Sequence, residues 1–286
     1  MNFMTKPLSA GLYFVATPIG SARDITLRGL DILASANVIA AEDTRTARKL
    51  LEIHGVPLNG RQVVAFHDHT SDGAAKRFVD LIAAGQSVAY VSEAGTPLVA
   101  DPGYELGRAV IAADLPVTTA PGASAVLAAL TVSGLPTDRF AFVGFLPSSK
   151  QQRETEIAQL RDQPFTLVFY ESPKRISLML NSLRDVLGGE RQAVVCRELT
   201  KKFEETQRGT LGELADMFDD RTVKGELVVL VGRAGAVDVM QDDVETALRT
   251  AMKTMRVKDA ATLVAGAMGL PRRQVYQTAL GLDDDT

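Results

Sequence analysis

The sequence contains no tryptophan, one cysteine and three histidines, and only 6% of its residues are aromatic. So few rings leave no stacking platform for several nucleotide bases at once. The single thiol, Cys196, excludes an intramolecular disulfide and a cysteine-built structural metal site. No apolar run reaches the length of a membrane span, and residues 1–10 carry no signal-peptide core, so a cytoplasmic location is the expectation. Also missing are G-x-x-x-x-G-K-[ST] and, at strand ends, G-x-G-x-x-G and G-x-S-x-G. Their absence removes P-loop nucleotide hydrolysis, the usual dinucleotide site and the hydrolase elbow.

What is present is a chain of 286 residues, 46% hydrophobic and 23% charged, long enough for two domains and a small third. A net charge of −4 argues against a broadly basic, nucleic-acid-binding surface. The charge is unevenly spread, however. Arg249, Lys253, Arg256, Lys258, Arg272 and Arg273 stand against Asp259 alone within their stretch. A solvated helix face is the ordinary account of such a cluster, and an RNA partner is the functional one.

Hydrophobic periodicity alternates short apolar runs with helical patterns, the rhythm of a parallel, doubly wound α/β sheet. Strands are expected at residues 12–16, 38–41, 63–66, 87–91 and 117–120. A helix capped by Thr26 is expected to bury Leu27, Leu30 and Leu33, and another, from Arg45, to turn Leu50, Leu51 and Ile53 inward. The strands end in loops rich in Gly, Pro or charge: Thr17-Pro18-Ile19-Gly20, Glu42-Asp43-Thr44-Arg45, His67-Asp68-His69, the stretch from Ser92 to Gly103, and Pro121-Gly122-Ala123-Ser124. Right-handed crossovers gather such loops on one edge, where an open sheet holds its ligand. Ser133 to Asp138 breaks the pattern, giving domains at 11–133 and 138–235. The second is again α/β, with strands at 140–143, 165–170, 192–196 and 226–231. Residues 236–286 read as a helical C-terminal domain with a helix-turn-helix pair around Gly269-Leu270-Pro271.

Small residues in those loops let a bulky ligand approach the backbone, and the Glu, Asp, Arg and Lys around them suit group transfer on a polar substrate. Arg45, Lys174, Arg175, Arg197 and Lys201 are candidate phosphate contacts; structural ion pairs are the equally weighted alternative. His67-Asp68-His69 lacks a third placed ligand and reads as a polar loop, so no metal is expected.

Leu12 to Gly20, Ser92-Glu93-Ala94-Gly95-Thr96-Pro97 and Pro121-Gly122-Ala123-Ser124-Ala125 resemble the tetrapyrrole-methylase superfamily of S-adenosylmethionine-dependent methyltransferases. Ala41-Glu42-Asp43-Thr44-Arg45, Gly144-Phe145-Leu146-Pro147, Tyr170-Glu171-Ser172-Pro173-Lys174-Arg175 and Arg197-Glu198-Leu199-Thr200-Lys201 narrow the resemblance to its ribosomal-RNA branch, which 2′-O-methylates a cytidine ribose in the decoding centre of the small subunit. The resemblance implies a homodimer of chains with two α/β domains, the cofactor lying in the cleft between them. It places Pro18, Ile19, Ser92, Thr96, Val99, Gly122, Ala123, Ser124, Tyr170, Cys196, Glu226 and Leu227 against S-adenosylmethionine. Glu93 departs from the family's Asp, and Asp68-His69 from its frequent Asn-Glu.

A ribose hydroxyl needs a base to take its proton. The candidates at the mouth are Asp43, His67, Glu171 and Glu204, with Asp43 and Glu171 preferred beside Arg45 and Lys174 as orienting cations. Arg175, Arg197, Lys201, Arg256, Lys258, Arg272 and Arg273 are the expected RNA contacts. Two alternatives stand beside this reading: methylation of a tetrapyrrole precursor, which the basic tail disfavours, and an RNA-binding assembly factor without catalysis, which cofactor titration would separate.

Overall fold

The computed structural model describes residues 3–67, 73–234, 241–268, 270 and 272–284. Asp68, His69, Gly235, Gly269 and Pro271, all named in the sequence reading, lie outside them. The first sheet is built from β1 (Gly11–Val15), β2 (Val38–Ala41), β3 (Gln62–Ala65), β4 (Ser87–Val91) and β5 (Val117–Ala120), all parallel, in the order β3-β2-β4-β1-β5. Between them run α1 (Leu27–Ser35), α2 (Thr44–Ile53), α3 (Ala74–Ala83) and α4 (Tyr104–Ala112), with α5 (Ala125–Ser133) following β5. Strand β4 is buried along its whole length because helices cover both faces. Val15, Ile39, Ala41, Ala89 and Val91 point to α1 and α2, while Leu12, Phe14, Val38, Ala40, Val88 and Tyr90 point to α3 and α4. Period-two alternation thus splits each strand between two cores.

Two inward assignments are corrected. Leu27 at the first turn of α1 and Ile53 at the last residue of α2 are exposed, while Leu30, Leu33 and Leu51 are buried. Both lie at helix ends, Leu27 opening α1 and Ile53 closing α2. Thr26 caps α1 as expected, its hydroxyl accepting from the Gly29 N–H at 3.0 Å.

The second sheet is mixed. It contains β6 (Phe140–Phe145), β7 (Thr166–Glu171), β8 (Gln192–Arg197), β9 (Glu205–Thr210) and β10 (Leu227–Val231), in the order β6-β7-β10-β8-β9, and only β6 and β7 run parallel. Edge strand β9, not among the strands expected from the sequence, has the polar sequence Glu205-Thr206-Gln207-Arg208-Gly209-Thr210 and carries no apolar alternation. Helices α6 (Lys150–Gln159), α7 (Ile176–Leu187) and α8 (Leu211–Asp219) cover one face of the sheet. The other face, through Val168, Val194, Cys196, Val228 and Leu230, packs on Ile19 and on Val126, Ala129 and Leu130 of α5. One apolar core therefore belongs to both halves of the molecule.

Helices α9 (Gln241–Met252), α10 (Val257–Met268) and α11 (Arg272–Asp284) close around Val244, Leu248, Ala260, Ala261, Val264, Val275, Ala279 and Leu282. These residues recur at helical spacing, so three short amphipathic helices share one small core.

Candidate active site

In the first sheet β1 lies between β4 and β5, so the loops that leave their carboxyl ends are neighbours. Thr17 and Gly95 exchange backbone hydrogen bonds at 2.9 and 3.0 Å, and the Thr96 hydroxyl donates to the Ala123 carbonyl at 3.0 Å. Gly122 is required by closeness: a Cβ there would stand 2.9 Å from the Cβ of Ala16. The three loops thus form one rigid wall.

Facing that wall are the end of β7 and the start of β10. Together they enclose a cleft of about 320 Å³, within the range of small-molecule sites. Its lining is largely apolar, with Ile19, Val99, Phe145, Tyr170, Leu227 and Val228, and it is edged by Asp101, Glu171 and Glu226. Of the cofactor residues expected from sequence, Ile19, Thr96, Val99, Ser124, Tyr170, Glu226 and Leu227 line this space. Pro18, Ser92, Gly122 and Ala123 belong to the same loops and are not among the residues that line it. Cys196 does not reach the cleft. It is fully buried in the core shared by the two halves, where desolvation raises its thiol pKa.

The expected catalytic set separates. Asp43 is the N-cap of α2: its carboxylate accepts the Arg45 N–H at 2.7 Å, the Thr46 N–H at 3.4 Å, and the Arg45 guanidinium at 2.7 Å. The Arg45 side-chain bond is the largest of several influences that hold its pKa at about 2, which makes it a weak base outside the cleft lining. Arg45 is otherwise exposed. Half-buried His67 follows β3, and exposed Lys174 lies beyond the lining. Glu204 is exposed and accepts the Thr200 N–H at 2.7 Å. Glu171 alone of the set borders the cleft. Buried at 3% exposure, it accepts the Ser172 N–H at 2.7 Å and lies 3.3 Å from the Arg175 guanidinium.

The expected RNA contacts also divide. Arg175 is spent on Glu171 and on the carbonyls of Leu146 and Pro147. Arg197 pairs with Glu205 at 2.9 Å, and Lys201 bridges Glu198 and Glu226, each at 2.9 Å. These three are engaged by local partners, so the ion-pair alternative describes them. Arg256, Lys258, Arg272 and Arg273 are exposed on the C-terminal helices; Arg272 donates to the Thr262 hydroxyl at 2.9 Å.

Sequence reasoning missed Asp101. It lines the cleft, half-buried, with its pKa raised to about 7 by burial first and then by the charge of Glu42, against the pull of the Ser92 hydroxyl; Glu93 and Glu226 add to the rise. The signal was an acid between Ala100 and Pro102 in the loop after β4, a loop read as ligand-holding without Asp101 being singled out within it. Burial likewise raises the Tyr170 phenol to about 12, with Asp101 adding to the rise.

Two α/β lobes with a loop-walled cleft between them form the architecture of the site. The family model of Tetrapyrrole (Corrin/Porphyrin) Methylases matches residues 11–215, and the chain belongs to that family, whose members use S-adenosylmethionine. A model described as the RsmI C-terminal HTH domain matches residues 238–283. "Ribosomal RNA small subunit methyltransferase I" of Mesorhizobium japonicum is 45% identical over 280 residues, covering 98% of this chain and 94% of its own length. The protein of that name from Vibrio cholerae is 42% identical, covering 94% of each. Among solved structures, a diphthine synthase superposes with a TM-score of 0.59 at 18% identity, covering 78% of this chain and 89% of its own, a likeness of fold alone.

The residues present fit S-adenosylmethionine. A positively charged sulfonium and amino group suit a cleft whose rim carries carboxylates, and an adenosine suits walls of Ile19, Val99, Leu227 and Val228. When bound, that group supplies an electrophilic methyl and its own leaving group. This chain's part is to bury it, to fix it against rigid loops and to bring an acceptor oxygen into line, so positioning carries most of the rate.

Proposed function

We propose that the chain transfers a methyl group from S-adenosylmethionine to the 2′-hydroxyl of a cytidine ribose in the decoding centre of small-subunit ribosomal RNA. The observation that carries this reading is the pairing of a cleft for the methyl donor with a separate helical domain whose exposed residues include Arg249, Lys253, Arg256, Lys258, Arg272 and Arg273. A small tetrapyrrole would need no such cationic surface, whereas an RNA is gripped mainly through its phosphates. The near full-length likeness to proteins named as small-subunit ribosomal RNA methyltransferases supports the same substrate. In this reading the protein works as a homodimer in the cytoplasm, and Ile19, Thr96, Val99, Ser124, Tyr170, Glu226 and Leu227 touch the donor.

The test is incubation of the purified protein with isotopically labelled S-adenosylmethionine and small subunits lacking the modification, followed by mass spectrometry of the ribosomal RNA. One labelled ribose methyl on a cytidine is the expected result. Donor binding in calorimetry without transfer to RNA or subunits would overturn the acceptor assignment.

A further inference from the structure

Outside the cleft lining, one large aromatic side chain is held in water on a rigid loop. Phe203, between β8 and β9, keeps 62% of its surface exposed. The backbone around it is fixed. Glu198 and Thr200 adopt left-handed conformations with φ of 51° and 63°. The Lys201 N–H donates to the Glu198 carbonyl at 2.9 Å, and the Glu204 N–H to the Lys201 carbonyl at 3.1 Å. The Glu204 carboxylate accepts the Thr200 N–H at 2.7 Å, and the Thr200 hydroxyl accepts the Ser21 N–H of the first lobe at 3.1 Å. The same loop is tied to the cleft, because Lys201 reaches Glu226, one of its lining residues, at 2.9 Å. Phe203 stands two residues beyond Lys201, so at most about 7 Å of backbone separates them. A loop pinned on both lobes thus keeps an apolar ring at the rim and forgoes the gain of burying it.

Two exposed cations belong to the same rim. The Lys202 ammonium lies 5.4 Å from the Phe203 ring centroid, and Arg23 follows two residues after the Ser21 that meets the loop. Among the described residues neither forms an ion pair, whereas neighbouring Arg197 and Lys201 are spent on glutamates. A scattered apolar side chain on a surface calls for no explanation. A fixed ring beside unpaired cations at a cleft mouth does, and it matches what a single RNA strand offers: a π-face on each base and a negative charge on each phosphate. We propose that Phe203 stacks on an unstacked base of the acceptor strand, with Lys202 and Arg23 on the adjoining phosphates, and so fixes the ribose at the cleft mouth. The proposal rests on the reading that the acceptor is RNA. Phe203 is then a substrate-positioning residue, setting the register of the strand while transfer takes place in the cleft.

Phe203→Leu keeps an apolar side chain and removes the π-face. Its kcat/KM for methylation of small subunits should fall about tenfold or more, chiefly through KM, while Phe203→Tyr and Phe203→Trp stay within about threefold of the parent. Lys202→Ala should lower the slope of log affinity against log salt by about one, and Phe203→Leu should leave that slope unchanged. Because the chain has no tryptophan, Phe203→Trp carries a single indole. A single-stranded cytidine oligoribonucleotide should quench its emission, and heparin, a polyanion without bases, should not. Transfer by Phe203→Leu within about threefold of the parent, or by Phe203→Trp as slow as by Phe203→Leu, overturns the proposal. Donor binding lost in Phe203→Leu also overturns it, placing the ring in the donor site. Should the parent methylate no RNA, the acceptor reading fails instead, and the indole still decides Phe203: no quenching, or equal quenching by heparin, overturns its role in stacking.

Discussion

Replacing Glu205 by Gln tests whether the charged rim of the second sheet is structural. Glu205 on β9 receives Arg197 at 2.9 Å, Arg221 at 2.8 and 2.7 Å, and the Gln207 amide at 2.7 Å. The Arg221 bonds lead the influences that hold its pKa at about 2, against an ordinary 4.5. At 1.36 kcal/mol per unit that drop would correspond to roughly 3 kcal/mol. Glu205 keeps 20% of its surface and Arg221 34%, so solvent screening reduces the figure to about 1 kcal/mol. Because the folded pKa lies below the unfolded one, the contribution is complete above about 4.5 and disappears as pH falls towards 2. Urea unfolding at pH 7 should therefore show Glu205→Gln less stable by about 1 kcal/mol, and the gap to the parent should narrow between pH 5 and pH 3. Equal stability at pH 7, or a gap unchanged at pH 3, would refute the reasoning.

Gly225 has φ of 92°, and a Cβ there would stand 2.4 Å from the Glu198 side chain, so Gly225→Ala should displace the adjoining Glu226 and Leu227 at the cleft. Calorimetry should show donor affinity reduced by about tenfold, the equivalent of about 1.4 kcal/mol of strain, and unaltered affinity would remove this turn from the site. Converting Arg272 and Arg273 to Ala should weaken binding to small subunits and lower the slope of log affinity against log salt by about two, with donor affinity unchanged. An unchanged salt slope would assign those arginines to another surface.

The first sheet was legible because each strand is a short apolar run followed by a helix-period pattern and a Gly- or Pro-bearing loop. The second was legible in outline, but its topology was not. β9 is an edge strand of polar residues on both faces, so Glu205 to Arg208 look like loop until the neighbouring strand supplies hydrogen-bond partners. At the site, Ile19, Thr96, Val99 and Ser124 were readable from small-residue loops and from family resemblance. Asp43 and Cys196 misled for physical reasons. An acid before a helix is as readily a cap as a base, and a cysteine on a central strand points to whichever face is covered. Asp101 escaped because its chemistry comes from burial and from acids distant in sequence, Glu42 at one end and Glu226 at the other.

The apolar layer that joins Ile19 and α5 to Val168, Val194 and Val228 has a consequence for traffic through the cleft. Swinging the lobes apart would wet that layer at about 25 cal/mol for each Å² uncovered, so a wide hinge is a costly gate. Small molecules must come and go past the rim turns at Gly95–Val99 and Ser172–Pro173, with the floor staying shut. The lobes should also melt as one body, and a ligand held at their seam should raise a single transition.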